Sequence, residues 1–136
     1  MADKTRRIDY YYVTVPDRPG EGRKVLSVLK ESKVNLLAYL GFPSGNGKAQ
    51  LDLVPENAGA LKKAAEKAGI KLSESKKAFL VQGDDRPGAV ADASAKLADA
   101  NVNVTSAAAT VGGGKYGLVI WVRPADYERA AKALGV

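Results

Sequence analysis

The tetrapeptide Asp-Arg-Pro-Gly occurs twice in this chain of 136 residues, as Asp17-Arg18-Pro19-Gly20 and as Asp85-Arg86-Pro87-Gly88, 68 positions apart. The correspondence runs on downstream. At the same spacing Val34-Asn35 falls on Val102-Asn103, Leu51 on Val119 and Leu53 on Trp121. Near the end the spacing tightens to 66, where Ala64-Ala65 falls on Ala130-Ala131 and Gly69 on Gly135. A repeat this long and this nearly gapless calls for two copies of one small domain, over 1–74 and 75–136, not a solenoid of many short units.

Each copy of the motif sits where an alternating apolar stretch gives way to a helical one. Tyr12-Val13-Thr14-Val15 precedes the first and Phe79-Leu80-Val81-Gln82 the second. Pro19 and Pro87 suit the first turn of a helix, where a missing N–H costs nothing. Proline also pushes Arg18 and Arg86 toward extended geometry, ending the strand sharply. Gly20 and Gly88 place no Cβ over the first free amides of the helix. Those amides, at the positive end of the helix dipole, suit a carboxylate or a phosphate. The plainer reading is a tight strand-to-helix turn and nothing more.

Composition removes several chemistries. The chain has no cysteine and no histidine, so disulfides, thiolate nucleophiles, zinc sites and Ser-His-Asp triads are excluded together. No metal or cofactor site is expected. No apolar run reaches the length of a membrane span, and Met1-Ala2-Asp3-Lys4 does not open a signal peptide. The expected compartment is the cytoplasm, with no membrane partner. The net charge of +6 is spread along the chain without a basic run. Lys62, Lys63 and Lys67 read as a solvated helix face, not as a nucleic-acid footprint.

Taken in order, residues 1–8 are polar and read as loose. Tyr10 to Val15 reads as a strand, and Gly22, Val25, Leu26 and Leu29 form one face of a helix. Leu36 to Phe42 and Ala49 to Val54 read as a hairpin around Ser44-Gly45-Asn46-Gly47. Ala49, Leu51 and Leu53 alternate with Gln50 and Asp52, which predicts one covered sheet face and one wet face. Leu61, Ala64, Ala65 and Ala68 mark a second helix closed by Gly69. Lys71 to Glu74 is a short candidate fourth strand. In the second copy Val90, Ala93 and Leu97 mark the first helix, Gly112-Gly113-Gly114 the hairpin turn, and Tyr127, Ala130, Ala131 and Leu134 the last helix. The resulting class is α+β: two ferredoxin-like βαββαβ repeats with antiparallel sheets and helices on one face.

Two features distinguish the second copy. In place of Gln50 and Asp52 the repeat puts Leu118 and Ile120, which predicts a sheet apolar and covered on both faces. The chain also stops at Gly135-Val136, where a fourth strand is due, leaving Phe79 to Gln82 an open edge. The register places Thr5-Arg6-Arg7-Ile8 where a preceding unit's fourth strand would run. Residues 1–8 are therefore a candidate cover for that edge, within one chain or by exchange in a homodimer, the arrangement favoured here.

Asp-Arg-Pro-Gly at a strand-to-helix junction, followed by Val34-Asn35-Leu36 or Val102-Asn103-Val104 opening the second strand, resembles the ACT-domain family. These are small ferredoxin-like modules that regulate amino-acid metabolism by binding amino acids. The resemblance covers nearly the whole chain, twice, and implies a free-standing tandem regulator without enzymatic activity. It implies ligand contacts at the residue before Arg-Pro-Gly and at the second-strand Asn. Carried over, the site comprises Asp17, Arg18, Pro19, Gly20 and Asn35, and Asp85, Arg86, Pro87, Gly88 and Asn103. The serine-binding module of a biosynthetic dehydrogenase has Asn where Asp17 and Asp85 stand, so the resemblance leaves the ligand's identity open. The chemistry agrees with an amino acid. Helix amides suit its carboxylate, an Asp accepts from its ammonium, and an Asn amide both donates and accepts. For each Asn the plainer reading is a strand-start residue bonding its own backbone.

Two other readings fit the fold. An acylphosphatase-like enzyme needs an Arg in a phosphate loop and an Asn nearby, for which Arg18 and Asn35 are candidates. RNA binding on the open sheet needs exposed aromatics on both central strands. Tyr10-Tyr11-Tyr12 supplies one strand, but Leu51-Asp52-Leu53 supplies no aromatic on the other.

Overall fold

A computed structural model describes residues 3–136. The elements are β1 (Lys4–Pro16), α1 (Glu21–Glu31), β2 (Leu36–Gly45), β3 (Lys48–Pro55), α2 (Ala58–Ala68), β4 (Lys76–Asp84), α3 (Ala89–Asp99), β5 (Val104–Gly112), β6 (Lys115–Val122) and α4 (Tyr127–Leu134). They form two compact units, a first of Asp9–Lys76 and a second of Lys77–Val136 with residues 3–8. Both are ferredoxin-like α+β repeats.

In the first unit the strand order is β2-β3-β1, with antiparallel pairs such as Val13↔Leu51 and Tyr39↔Leu53. Val13, Leu51 and Leu53 pack beneath Val25 and Leu29 of α1 and Leu61 and Ala64 of α2. The 3.6-residue spacing of those apolar positions is what makes each helix one-sided. Asn57 caps α2 by accepting from the Ala60 amide at 3.0 Å, and Gly69 closes it in the left-handed conformation. The expected fourth strand over Lys71 to Glu74 does not form. The segment is still tied down: Leu72 packs against the core, the Ser73 amide donates to Tyr12 O, and the Tyr12 amide donates to Ser73 Oγ, both at 2.9 Å. A side-chain oxygen takes the place a strand carbonyl would fill, so the ladder does not propagate.

In the second unit β1, β4, β6 and β5 lie in that order. Phe79, Val81, Leu118 and Ile120 pack against Ala93 and Leu97 of α3 and Ala130 and Leu134 of α4. The Tyr127 ring stacks on Phe79, centroids 4.5 Å apart, and its hydroxyl donates to Ala78 O at 3.2 Å. Residues 4–8 are not loose. They are the first part of β1, and they stand next to β4, the strand they were expected to cover. Arg7 fastens this segment to α4 through a two-pronged contact with Glu128, at 2.8 and 3.1 Å.

The repeat is not gapless. In the first unit Leu51 and Leu53 face the helices; in the second the residues doing so are Leu118 and Ile120, 67 positions on. The ladders show where the residue is lost. Pro43 pairs with Ala49 and Gly45 with Lys48, so Ser44 is a bulge, whereas Val111 and Gly112 pair in succession with Tyr116 and Lys115. A one-residue slip exchanges the faces of everything that follows. Leu118 and Ile120 are thus ordinary core residues, and the positions matching Asp52 and Val54 are Val119 and Trp121. The second sheet is still covered on both sides, since Leu80, Val119 and Trp121 are buried as well. The first unit departs from expectation in the other direction. Its supposedly wet face holds Asp52 at 6% exposure and Val54 at 1%.

Candidate functional site

The duplicated turn has the same geometry in both units. The Glu21 amide donates to Arg18 O and the Ala89 amide to Arg86 O, each at 3.3 Å. Gly20 has φ 87, ψ −10 and Gly88 φ 84, ψ 5. A four-residue turn with Pro second and a positive-φ Gly third is a type II turn. The prolines therefore stand ahead of the helix, in the turn, and not in its first turn as expected. The glycines serve the backbone: a Cβ built on either meets nothing within 4 Å, so they are not there to keep a space clear.

The hairpin anchors the motif from below. Asp17 N–H donates to Gly47 O at 2.9 Å and Asp85 N–H to Gly114 O at 3.0 Å. The turns that present those carbonyls are two-residue loops with positive φ at both positions, 54 and 71 at Asn46 and Gly47, 59 and 77 at Gly113 and Gly114. The carboxylates of Asp17 and Asp85 are exposed. Neither α1 nor α3 has a side-chain cap, so the early amides of both helices remain available to an anion.

The two arginines are placed differently. Arg18 donates to Glu21 at 3.1 Å and is otherwise largely exposed. Lys24, and after it Arg18, hold Glu21 below the usual carboxylate range. Arg86 is enclosed by acids: it donates to both oxygens of Asp3, at 3.0 and 3.1 Å, and to Asp92 Oδ2 at 3.0 Å. It also lies over the Tyr116 ring, 5.9 Å from the centroid. Arg86, then Tyr116, hold Asp3 below its ordinary range, and Asp3 and Asp92 make Arg86 still harder to deprotonate. Burial, then Asp3, push the Tyr116 phenol up. Gly83 leaves the room for Asp3, since a Cβ there would collide with its carboxylate.

A hollow of about 250 Å³ opens beside the second turn, lined by Asp85, Arg86, Gly88 to Ala91, Ala109 to Val111 and Tyr116. Val90, expected on the buried face of α3, is exposed here and Ala89 is buried in its stead. A larger hollow of about 390 Å³ lies among Asp3, Lys4, Lys96 and Val136 and includes none of the turn residues.

Asn35 and Asn103 are not brought to their own unit's turn. Each precedes the edge strand, β2 or β5, whose start lies at the opposite end of the sheet from the turn. A ten-residue strand such as β2 separates the two by roughly 30 Å. Asn35 donates instead to Glu56 at 2.9 Å. This separation also parts Arg18 from Asn35, the pair an acylphosphatase-like centre needs together. An open sheet face for RNA is equally unsupported, because Leu80, Val119, Trp121 and Asp52 are buried. Among the described residues no cluster of three or more acidic side chains is arranged to hold a metal ion. No helix there is long and apolar enough to cross a membrane.

Sequence reading missed Asp3 and Tyr116 as neighbours of Arg86. Asp3 falls opposite Lys71 in the repeat, so no internal comparison pointed to it.

Residues 78–135 match the family model of the ACT domain. No curated protein sequence matches the chain. Among solved structures, a protein from Bacteroides thetaiotaomicron is similar over 96% of this chain and 88% of its own, at 16% identity and a TM-score of 0.82. The ligand-free regulatory subunit of aspartate kinase from Thermus thermophilus is similar over 98% of this chain and 94% of its own, at 18% identity and a TM-score of 0.66. The corresponding subunit from Thermus flavus gives the same coverage at 20% identity and 0.63. At such identities the likeness is one of fold.

Proposed function

We propose that the chain is a pair of ACT domains acting as a small-molecule-sensing regulatory module, without catalytic activity, that binds a free amino acid in the cytoplasm. The observation that carries this reading is the hollow beside Gly88. It joins an uncapped helix start, an exposed acidic side chain at Asp85 and an apolar wall of Val90, Ala109 and Val111. An amino acid is a zwitterion with a side chain, and the three parts of the hollow suit its carboxylate, its ammonium group and its side chain in turn. Regulatory subunits of aspartate kinase with the same fold support a sensing role.

The reading includes a homodimer. β5 is an edge strand, residues 104–114 carry no charge, and Val111 is 56% exposed. Uncharged exposed edges favour pairing with another strand. Antiparallel pairing of two β5 edges sets the start of one strand beside the end of the other. Asn103 of one copy then stands near the hollow of its mate, which is how an Asn remote from its own turn joins a ligand site.

The test is a thermal-shift screen of the standard amino acids, with sedimentation of the free protein. A true ligand at about 100 times its dissociation constant stabilises by roughly 2.7 kcal/mol. No stabilisation by any amino acid removes the ligand reading; a monomer at all concentrations removes the dimer.

A further inference from the structure

We propose that Tyr39 occupies the first unit's counterpart of the hollow, so that the chain carries one ligand site and not two. The proposal rests on the reading above for the second unit and adds what becomes of the first.

The ladders set the equivalences. Tyr39 pairs with Leu53 and Gly41 with Leu51, as Ala107 pairs with Ile120 and Ala109 with Leu118. Tyr39 therefore matches Ala107, Gly41 matches Ala109, and Gly22, two residues after Gly20, matches Val90. In the second unit Val90 and Ala109 face each other across open space of about 250 Å³. In the first unit the same two positions are glycines. A Cβ on Gly41 would meet the Tyr39 hydroxyl at 3.3 Å, and one on Gly22 would meet it at 3.5 Å. Leu51 lies behind both, at 3.4 and 4.0 Å.

Neither glycine has a positive φ, so backbone geometry does not call for glycine at either place. A Cβ on Gly41 would crowd the ring hydroxyl, and one on Gly22 would already touch it, so larger side chains at these places compete with the ring for the same space. Where the second unit has Val90 and Ala109, with the Tyr116 ring at the hollow's edge, the first has two glycines and the Tyr39 ring, which stands two residues before Gly41 on β2. Tyr39 remains 41% exposed, as suits a ring lying across the mouth of a surface hollow. The turn beneath keeps its type II geometry and its uncapped helix start. The first unit thus retains the scaffold of the site with an aromatic side chain where the second has room for a ligand.

The experiment maps amide chemical shifts of isotope-labelled protein on titration with each standard amino acid, in the wild type and in Tyr39→Ala. The expected result is a perturbation at Gly88 to Ala91 alone in the wild type, and an additional one at Gly20 to Gly22 in the variant, with stoichiometry rising from one to two per chain. Perturbation at both turns in the wild type, or at the second turn alone in both proteins, overturns the proposal. If no amino acid perturbs either turn, the ligand reading itself fails, and a thermal double-mutant cycle decides the plug. Gly41→Ala is less favourable to the melting temperature in the wild type than in the Tyr39→Ala background; equal effects in both overturn it. Should Tyr39→Ala not fold, NOEs from the Tyr39 ring to the Gly22 and Gly41 α-protons decide, and their absence overturns it.

Discussion

Replacing Gly88 by alanine isolates the backbone requirement of the duplicated turn. At φ 84 an L-residue is strained, while the space around the missing Cβ is empty to 4 Å. Crowding therefore contributes nothing, and the whole cost is conformational, about 1–2 kcal/mol for placing an L-residue in the left-handed region. For a domain of this size that corresponds to a fall in melting temperature on the order of 5–10 °C. Asparagine visits the left-handed region far more readily than alanine, so Gly88→Asn, although larger, should lose clearly less. Gly20, at φ 87 and equally uncrowded, should show the same order. Calorimetric melting of the four variants is the assay. Refutation takes either of two forms: alanine as stable as glycine, or asparagine worse than alanine, which would mean that volume and not φ governs the position.

Phe79→Ala should cost about 3–5 kcal/mol in denaturant unfolding, because the side chain is fully buried and stacked on Tyr127. Asp3 has its pKa lowered in the folded protein by Arg86, so its contribution is present above the unfolded value near 3.8 and is lost as pH falls through the lower folded value. Asp3→Asn should accordingly lower the melting temperature at neutral pH and narrow its loss below about pH 4, a small effect for a half-buried pair at the surface. Asp52 is shifted the other way, chiefly by burial and against the hydrogen bond from Gln50. Its charged form opposes folding as pH rises, so Asp52→Asn should raise the melting temperature at neutral pH and change it little in acid.

The helices and hairpins were legible because their signals are local. The spacing of Val25 and Leu29, the left-handed Gly69 and the Asn46-Gly47 turn each determine structure within a few residues. What was hidden depends on pairing between distant strands. The bulge at Ser44 sits in a stretch that already reads as turn, so its loss from the second copy is invisible until the ladders are seen. With it went the assignment of Leu118, Ile120, Val119 and Trp121 to faces. Asp52 reads as a wet residue in any alternating strand; only the fold around it decides otherwise. At the candidate site the motif itself pointed to the turn, the free amides and Asp85. It did not point to Asp3, which reaches Arg86 from 83 positions away, nor to Tyr39, whose role appears only against Gly22 and Gly41. The two asparagines were placed by resemblance, and their positions just ahead of β2 and β5 carry them to the far end of their own units.

Isothermal titration of the amino acid selected by thermal screening, into wild type, Asp85→Ala and Asp17→Ala, tests the central claim most directly. Losing a charge-assisted hydrogen bond to the ligand's ammonium group costs about 1.5–3 kcal/mol, so Asp85→Ala should weaken binding on the order of 10- to 100-fold. Asp17→Ala should leave affinity unchanged. Wild-type affinity in Asp85→Ala, or no heat of binding from any amino acid, would contradict a ligand site at the second turn.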